Sequence, residues 1–138
     1  VRTYLDELGE TVGEALLKPH TCYYPAIREA QQRGLALDGI AHITGGGLYD
    51  NVPRILPEDV TAVFKSDVLP IPPIFKVLVE KGHVDPIEAY RVFNMGVGMV
   101  WFVPADAADE AVEIGRGKGF TTGIIGEVIP GHRDVRIR

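Results

Sequence analysis

The sequence predicts an α+β fold, a mixed β-sheet with helices packed on it, partly ferredoxin-like. Three observations point there. Short alternating apolar stretches such as GIAHIT (Gly39 to Thr44) and DVTAVFK (Asp59 to Lys65) have the two-residue period of strands. Between them lie longer stretches with helical spacing. Sixteen glycines and ten prolines punctuate the chain without repeats or low-complexity runs, and its 138 residues suffice for one real core with no internal boundary.

The elements follow in order. Val1, Tyr4, Leu5 and Leu8 keep i, i+3, i+4, i+7 spacing, which predicts a first helix ending near Gly9. Glu10 to His20 reads as a connector. Tyr23, Ile27 and Ala30 mark one face of a second helix, with Gly34 where a C-cap belongs. GIAHIT is a strand, and a short helix over Leu48 to Ile55 follows, with Leu48, Val52 and Ile55 toward the core. DVTAVFK is the next strand. Pro73 suits the first turn of a helix whose apolar face is Ile74, Val77 and Leu78, closed by Gly82. Asp85-Pro86 reads as an N-cap and first helical residue of a helix to about Phe93. Met95 to Val103 (MGVGMVWFV) reads as the strongest strand, with Met95, Val97, Met99 and Trp101 on its core face. Asp106 to Lys118 is a helix with Ala108, Ala111 and Val112 inward. Gly123 to Ile129 is a fourth strand and Val135 to Arg138 a fifth, at the edge.

Composition excludes several function classes. Lys plus Arg total 14 against 19 Asp plus Glu, a net charge of −5, which disfavours nonspecific nucleic-acid binding. No apolar run approaches the roughly 18 residues of a membrane span, and no signal peptide is visible. Cys22 is the only cysteine, so no internal disulfide is available; a cytoplasmic setting and a buried, inert thiol are expected.

Two glycine-bearing stretches could carry chemistry. Thr44-Gly45-Gly46-Gly47 joins a strand to a helix. Such a loop can turn backbone N–H groups toward a phosphate, with the Thr44 hydroxyl as a further donor, or it can be only a tight turn. It is not a P-loop, because no Lys-Ser/Thr pair follows. Asn51 could hold this loop or cap local backbone. Arg54, seven residues beyond Gly47, could return to the loop side as a planar anion donor or form a surface ion pair. In Asn94-Met95-Gly96-Val97-Gly98, the glycines would share one face of a strand, bare enough for a ligand or for a packed helix. Asn94 could bond a ligand or cap a turn. His42 alternates to the same face as Thr44 and could touch substrate or be structural. His20, His42, His83 and His132 lack the spacing of a zinc site, so no metal site is expected. No catalytic triad or paired-carboxylate motif stands out, and the catalytic residues stay unassigned.

LLKP (Leu16 to Pro19), HITGGGLYDNVPRILP (His42 to Pro57) and YRVFNMGVGM (Tyr90 to Met99) together resemble the C-terminal domain of the aminoimidazole ribonucleotide synthetases, or phosphoribosylformylglycinamidine cyclo-ligases. The resemblance covers essentially the whole chain. It implies an α/β/α layered domain, and a two-domain enzyme of purine biosynthesis whose N-terminal domain supplies most ATP and Mg contacts and the main homodimer interface. ATP would activate the formyl amide oxygen of formylglycinamidine ribonucleotide, and a substrate nitrogen would close the imidazole ring through an iminophosphate intermediate. It implies phosphate or substrate binding by Thr44, Gly45, Gly46 and Gly47, with Asn51, Arg54 and Asn94 lining the same cleft against the other domain and His42 kept as a further substrate or phosphate contact. The N-terminal motifs are absent from this chain, which begins at Val1, so an inactive piece of a longer protein is expected. One departure is Thr21, where many family members carry arginine in a Pro-Thr-Arg run; His20 is a partial substitute. Selenophosphate synthetase, thiamine-monophosphate kinase and formylglycinamidine ribonucleotide synthetase share the plan, as does a hydrogenase maturation factor. A stand-alone ferredoxin-like ligand-binding domain is the contrasting alternative.

Overall fold

The computed structural model describes residues 2–138; Val1, counted above in the first apolar face, lies outside the described residues. The chain is α+β. Among the described residues the strands are distributed over three small sheets: β1 (Tyr4–Leu5) with β2 (Glu10–Thr11), β3 (Gly39–His42) with β5 (Met99–Phe102), and β6 (Gly126–Pro130), β4 (Val60–Phe64) and β7 (Asp134–Ile137) in that order. The third sheet is mixed, since β4 pairs antiparallel with β6 and parallel with β7.

Helices α1 (Val12–Leu16), α2 (Tyr24–Arg33), α3 (Gly47–Asn51), α4 (Pro73–Gly82), α5 (Pro86–Val92) and α6 (Ala108–Gly117) fill the intervals. Their ends carry standard caps. Thr11 and Glu14 form a capping box on α1. Gly34 ends α2 at φ 73°, and the N–H of Leu35 bonds to the carbonyl of Ala30 at 2.9 Å. Asp85 Oδ1 accepts from the N–H groups of Ile87 (2.9 Å) and Glu88 (3.1 Å), with Pro86 opening α5.

Two cores hold the elements. The larger joins Ala41 and Ile43, Leu48, Val52 and Leu56, Ala62 and Phe64, Val97, Val100 and Val135. It fixes β3, α3 and β4 around one centre. The smaller packs Ala26 and Ala30 of α2 against Ile114 of α6.

Several expectations are corrected. The N-terminal stretch is a hairpin, not a helix: Tyr4 pairs with Thr11, Leu5 with Glu10, and Gly9 turns the chain at φ 67°. The connector after it holds β2 and α1. The strand expected from Met95 begins only at Met99, because Met95 (φ 48°) and Gly96 (φ 90°) form a turn. The expected strand from Gly123 begins only at Gly126. His83, not Gly82, makes the left-handed cap of α4, at φ 50°. Ile55 is exposed, and in α6 the buried residues are Ile114 and Gly115, while Ala108, Ala111 and Val112 are half-buried. Cys22 is exposed, since it lies in the chain leading into α2 rather than on a packed face.

Candidate functional site

Alternation along β3 sets up the site. Ala41 and Ile43 enter the core, while His42 and Thr44 face outward. The chain then turns through the glycines into α3, and each glycine has a different reason. Gly46 sits at φ 93°, where a side chain is strained, and a Cβ there would meet the Asp50 side chain. Gly47, at φ 57°, lies against the carbonyl oxygens of Tyr90 and Phe93 with no room for a Cβ. Its N–H is already used, on the carbonyl of Thr44 at 3.1 Å. Gly45 has neither constraint: a Cβ there would stand in open space, and the residue is exposed.

Asn51 is buried beneath the loop. Its Nδ2 donates to the carbonyls of Gly45 (3.2 Å) and Gly47 (2.8 Å). It is therefore the latch of the turn, the first of the two roles the sequence left open. Asn94 does the parallel job at the other motif, where its Oδ1 accepts from the N–H of Gly96 at 3.1 Å.

The two motifs meet at one cavity of about 340 Å³. Ile43, Thr44 and Gly45 form one wall, and Val92, Phe93 and Asn94 form another. Phe75 of α4 and His20 complete it. His20 Nε2 lies 3.2 Å from Nε2 of His42, so His42 joins the rim through its neighbour. The Tyr23 ring stands edge-on to both imidazoles, with centroids 6.1 and 6.2 Å away, and Phe120 backs it at 5.5 Å. The close approach that requires glycine at Gly98 is the Tyr23 hydroxyl, which occupies the place of a Cβ.

Of the expected site residues, Thr44, Gly45 and Asn94 line the cavity and His42 adjoins it. Gly46, Gly47 and Asn51 lie behind it as its frame. Arg54 is exposed at the end of the 3-10 turn Val52–Arg54 that follows α3, and is not among the lining residues. Two turns of regular helix would have returned it to the loop; the tighter turn after Asn51 does not. The sequence does not reveal Phe75 and Phe93 as lining residues, because nothing in their spacing separates a cavity wall from a core face.

No carboxylate lines the cavity, and among the described residues no group of three His, Cys, Asp or Glu could hold a metal ion. As oxygen ligands the cavity therefore offers neutral groups alone, and it lacks the carboxylates through which proteins usually bind Mg2+. The lining also carries no Lys or Arg. What it offers is a hydroxyl, an amide, an open stretch of backbone and an imidazole, between phenyl rings.

The model of the family described as "AIR synthase related protein, C-terminal domain" matches residues 2–138. A protein of Lachnospira eligens named phosphoribosylformylglycinamidine cyclo-ligase is 42% identical over 137 residues, which are 99% of this chain and 40% of that protein. Proteins of the same name from Alkaliphilus oremlandii and Shouchella clausii are each 42% identical, over 98% and 94% of this chain and 39% and 37% of their own lengths. The chain thus spans about 40% of the length of the curated relatives it matches. Among the described residues no helix is long and apolar enough to cross a membrane.

Proposed function

We propose, on the premise that this chain belongs to the AIR synthase related protein C-terminal domain family, that it is one half of a phosphoribosylformylglycinamidine cyclo-ligase. The full enzyme would use ATP to turn formylglycinamidine ribonucleotide into aminoimidazole ribonucleotide, ADP and phosphate, in the cytoplasm and as a homodimer. The observation that carries this reading is the meeting of two distant motifs, Thr44-Gly45 and Asn94, at one cavity, in a chain 42% identical throughout to a protein of that name.

In this reading Gly45 is bare so that a phosphate of substrate or nucleotide can approach the backbone, with the Thr44 hydroxyl and the Asn94 amide as donors. Asn51, Gly46 and Gly47 hold the loop in shape. An N-terminal domain supplies the phosphoryl donor, Mg2+ and the cationic groups that this wall lacks. Phosphoryl transfer depends on positioning and charge stabilisation, so the wall alone should be inert. The test is to assay the longer protein containing this chain, and the chain by itself, with formylglycinamidine ribonucleotide and ATP. Aminoimidazole ribonucleotide should form only with the longer protein. Product from the chain alone overturns the division of labour, and no product from the longer protein overturns the activity.

A further inference from the structure

The geometry points to a two-histidine binding site for a divalent transition-metal ion at Nε2 of His20 and Nε2 of His42. These atoms lie 3.2 Å apart on exposed imidazoles, with ring centroids 5.2 Å apart. Two ligands at a Zn–N distance of about 2.0–2.1 Å and a tetrahedral angle are separated by about 3.3 Å. An ion can therefore replace the hydrogen bond between the rings while their donor atoms stay nearly in place. In the neutral pair one ring carries its proton on Nε2. On binding, that ring moves the proton to Nδ1, both Nε2 lone pairs turn to the metal, and no proton is lost.

The site is braced on the protein side. Tyr23 stands edge-on to both imidazoles, at interplanar angles of 83° and 67°, and Phe120 supports it from behind. Gly98 leaves room for its hydroxyl. His20 comes from the chain before α2 and His42 from the end of β3, so the pair also ties two elements together. Two imidazoles select Zn2+, Co2+, Ni2+ or Cu2+ over Mg2+ or Ca2+, because nitrogen suits the borderline ions and oxygen the hard ones. Water fills the other positions, so the ion is held by one protein ligand fewer than at a three-ligand open site. Binding alone reports on this site, whatever reaction the longer protein carries out.

The test is Co2+ titration of the chain at pH 8 in excess Mg2+, followed by visible absorption. One Co2+ should bind saturably with d–d bands, and Zn2+ should displace it. His20→Asn and His42→Asn should each weaken binding by about tenfold or more, with circular dichroism confirming that both fold. Cys22→Ser and His83→Asn should bind as the unchanged chain does. Imidazole NMR with Zn2+ should place the ion on Nε2 of both rings without any substitution. Binding that survives His42→Asn, binding lost in Cys22→Ser, or Zn2+ seen on another histidine would each overturn the two-histidine site.

Discussion

Asn51 reaches back one helical turn and holds the carbonyl of Gly47 at 2.8 Å while also holding that of Gly45 at 3.2 Å. One buried amide thus fixes both ends of the glycine turn from below. Asn51→Ala should destabilise the chain by about 1–3 kcal/mol, since a buried acceptor loses its donor. Asn51→Asp keeps the size but turns a carboxylate oxygen toward two carbonyl oxygens, so it should cost more than alanine. Urea unfolding of the two variants checks the order. Equal midpoints for aspartate and alanine would contradict the latch.

The glycines themselves separate by stability. Gly47→Ala places a Cβ against the backbone oxygens of Tyr90 and Phe93, which cannot step aside without moving α5. It should destabilise strongly or abolish folding. Gly46→Ala should cost about 1–2 kcal/mol for its left-handed backbone, plus the contact with Asp50. Gly45→Ala should change stability by no more than about 0.5 kcal/mol. In the longer protein, however, it should raise KM for a phosphate-bearing substrate or lower kcat. Thermal melts and steady-state kinetics together test this. A Gly45→Ala protein with normal kinetics would remove the reason proposed for that glycine.

This contrast also shows what the sequence could and could not reveal. The turn at HITGGG and its neighbours β3 and α3 are legible, because alternation and glycine are local signals. Which glycine serves which purpose is not, because the carbonyls that exclude a Cβ at Gly47 come from residues 90 and 93. At Met95 the alternation was misleading: the Asn94 side chain bonds the N–H of Gly96, and a turn displaces the strand. The first residues fit a helical spacing, yet pairing of Tyr4 with Thr11 prevails over a period sampled for only two turns. The contact of His20 with His42 crosses 22 positions, and no spacing rule reports it.

The capping of α5 matters to the site because its C-terminal end bears on Gly47 and supplies Val92 at the cavity. Asp85→Ala removes the acceptor for two N–H groups at its start. The expected cost is about 1 kcal/mol, with Asp85→Asn close to unchanged. Hydrogen exchange should speed up first at the start of α5. Unaltered exchange there in Asp85→Ala would mean that the cap contributes nothing.

Acid stability should report on Asp134. The Thr61 hydroxyl, fully buried on β4, donates to Asp134 on β7 and also accepts from the N–H of His132 at 3.2 Å. That hydrogen bond is the main cause that holds the Asp134 carboxyl below its ordinary value, and the Arg136 charge assists. A depressed carboxylate pKa means that the folded state binds fewer protons than the unfolded chain. The contribution is therefore fully present above the unfolded value of about 3.9 and disappears as pH falls through the lower folded value. Glu14 and Glu29 are lowered in the same direction, by Thr11 and by Arg33 with Lys118 respectively, so what these two exposed carboxylates add also shrinks on acidification. Thr61→Val isolates one part of that loss. Its stability should fall furthest behind the unchanged chain near neutral pH, and the gap should narrow below about pH 4. Denaturant unfolding at pH 7, 5 and 3 measures it. A gap independent of pH would mean that Thr61 acts only through packing and the His132 N–H, and not through the charge on Asp134.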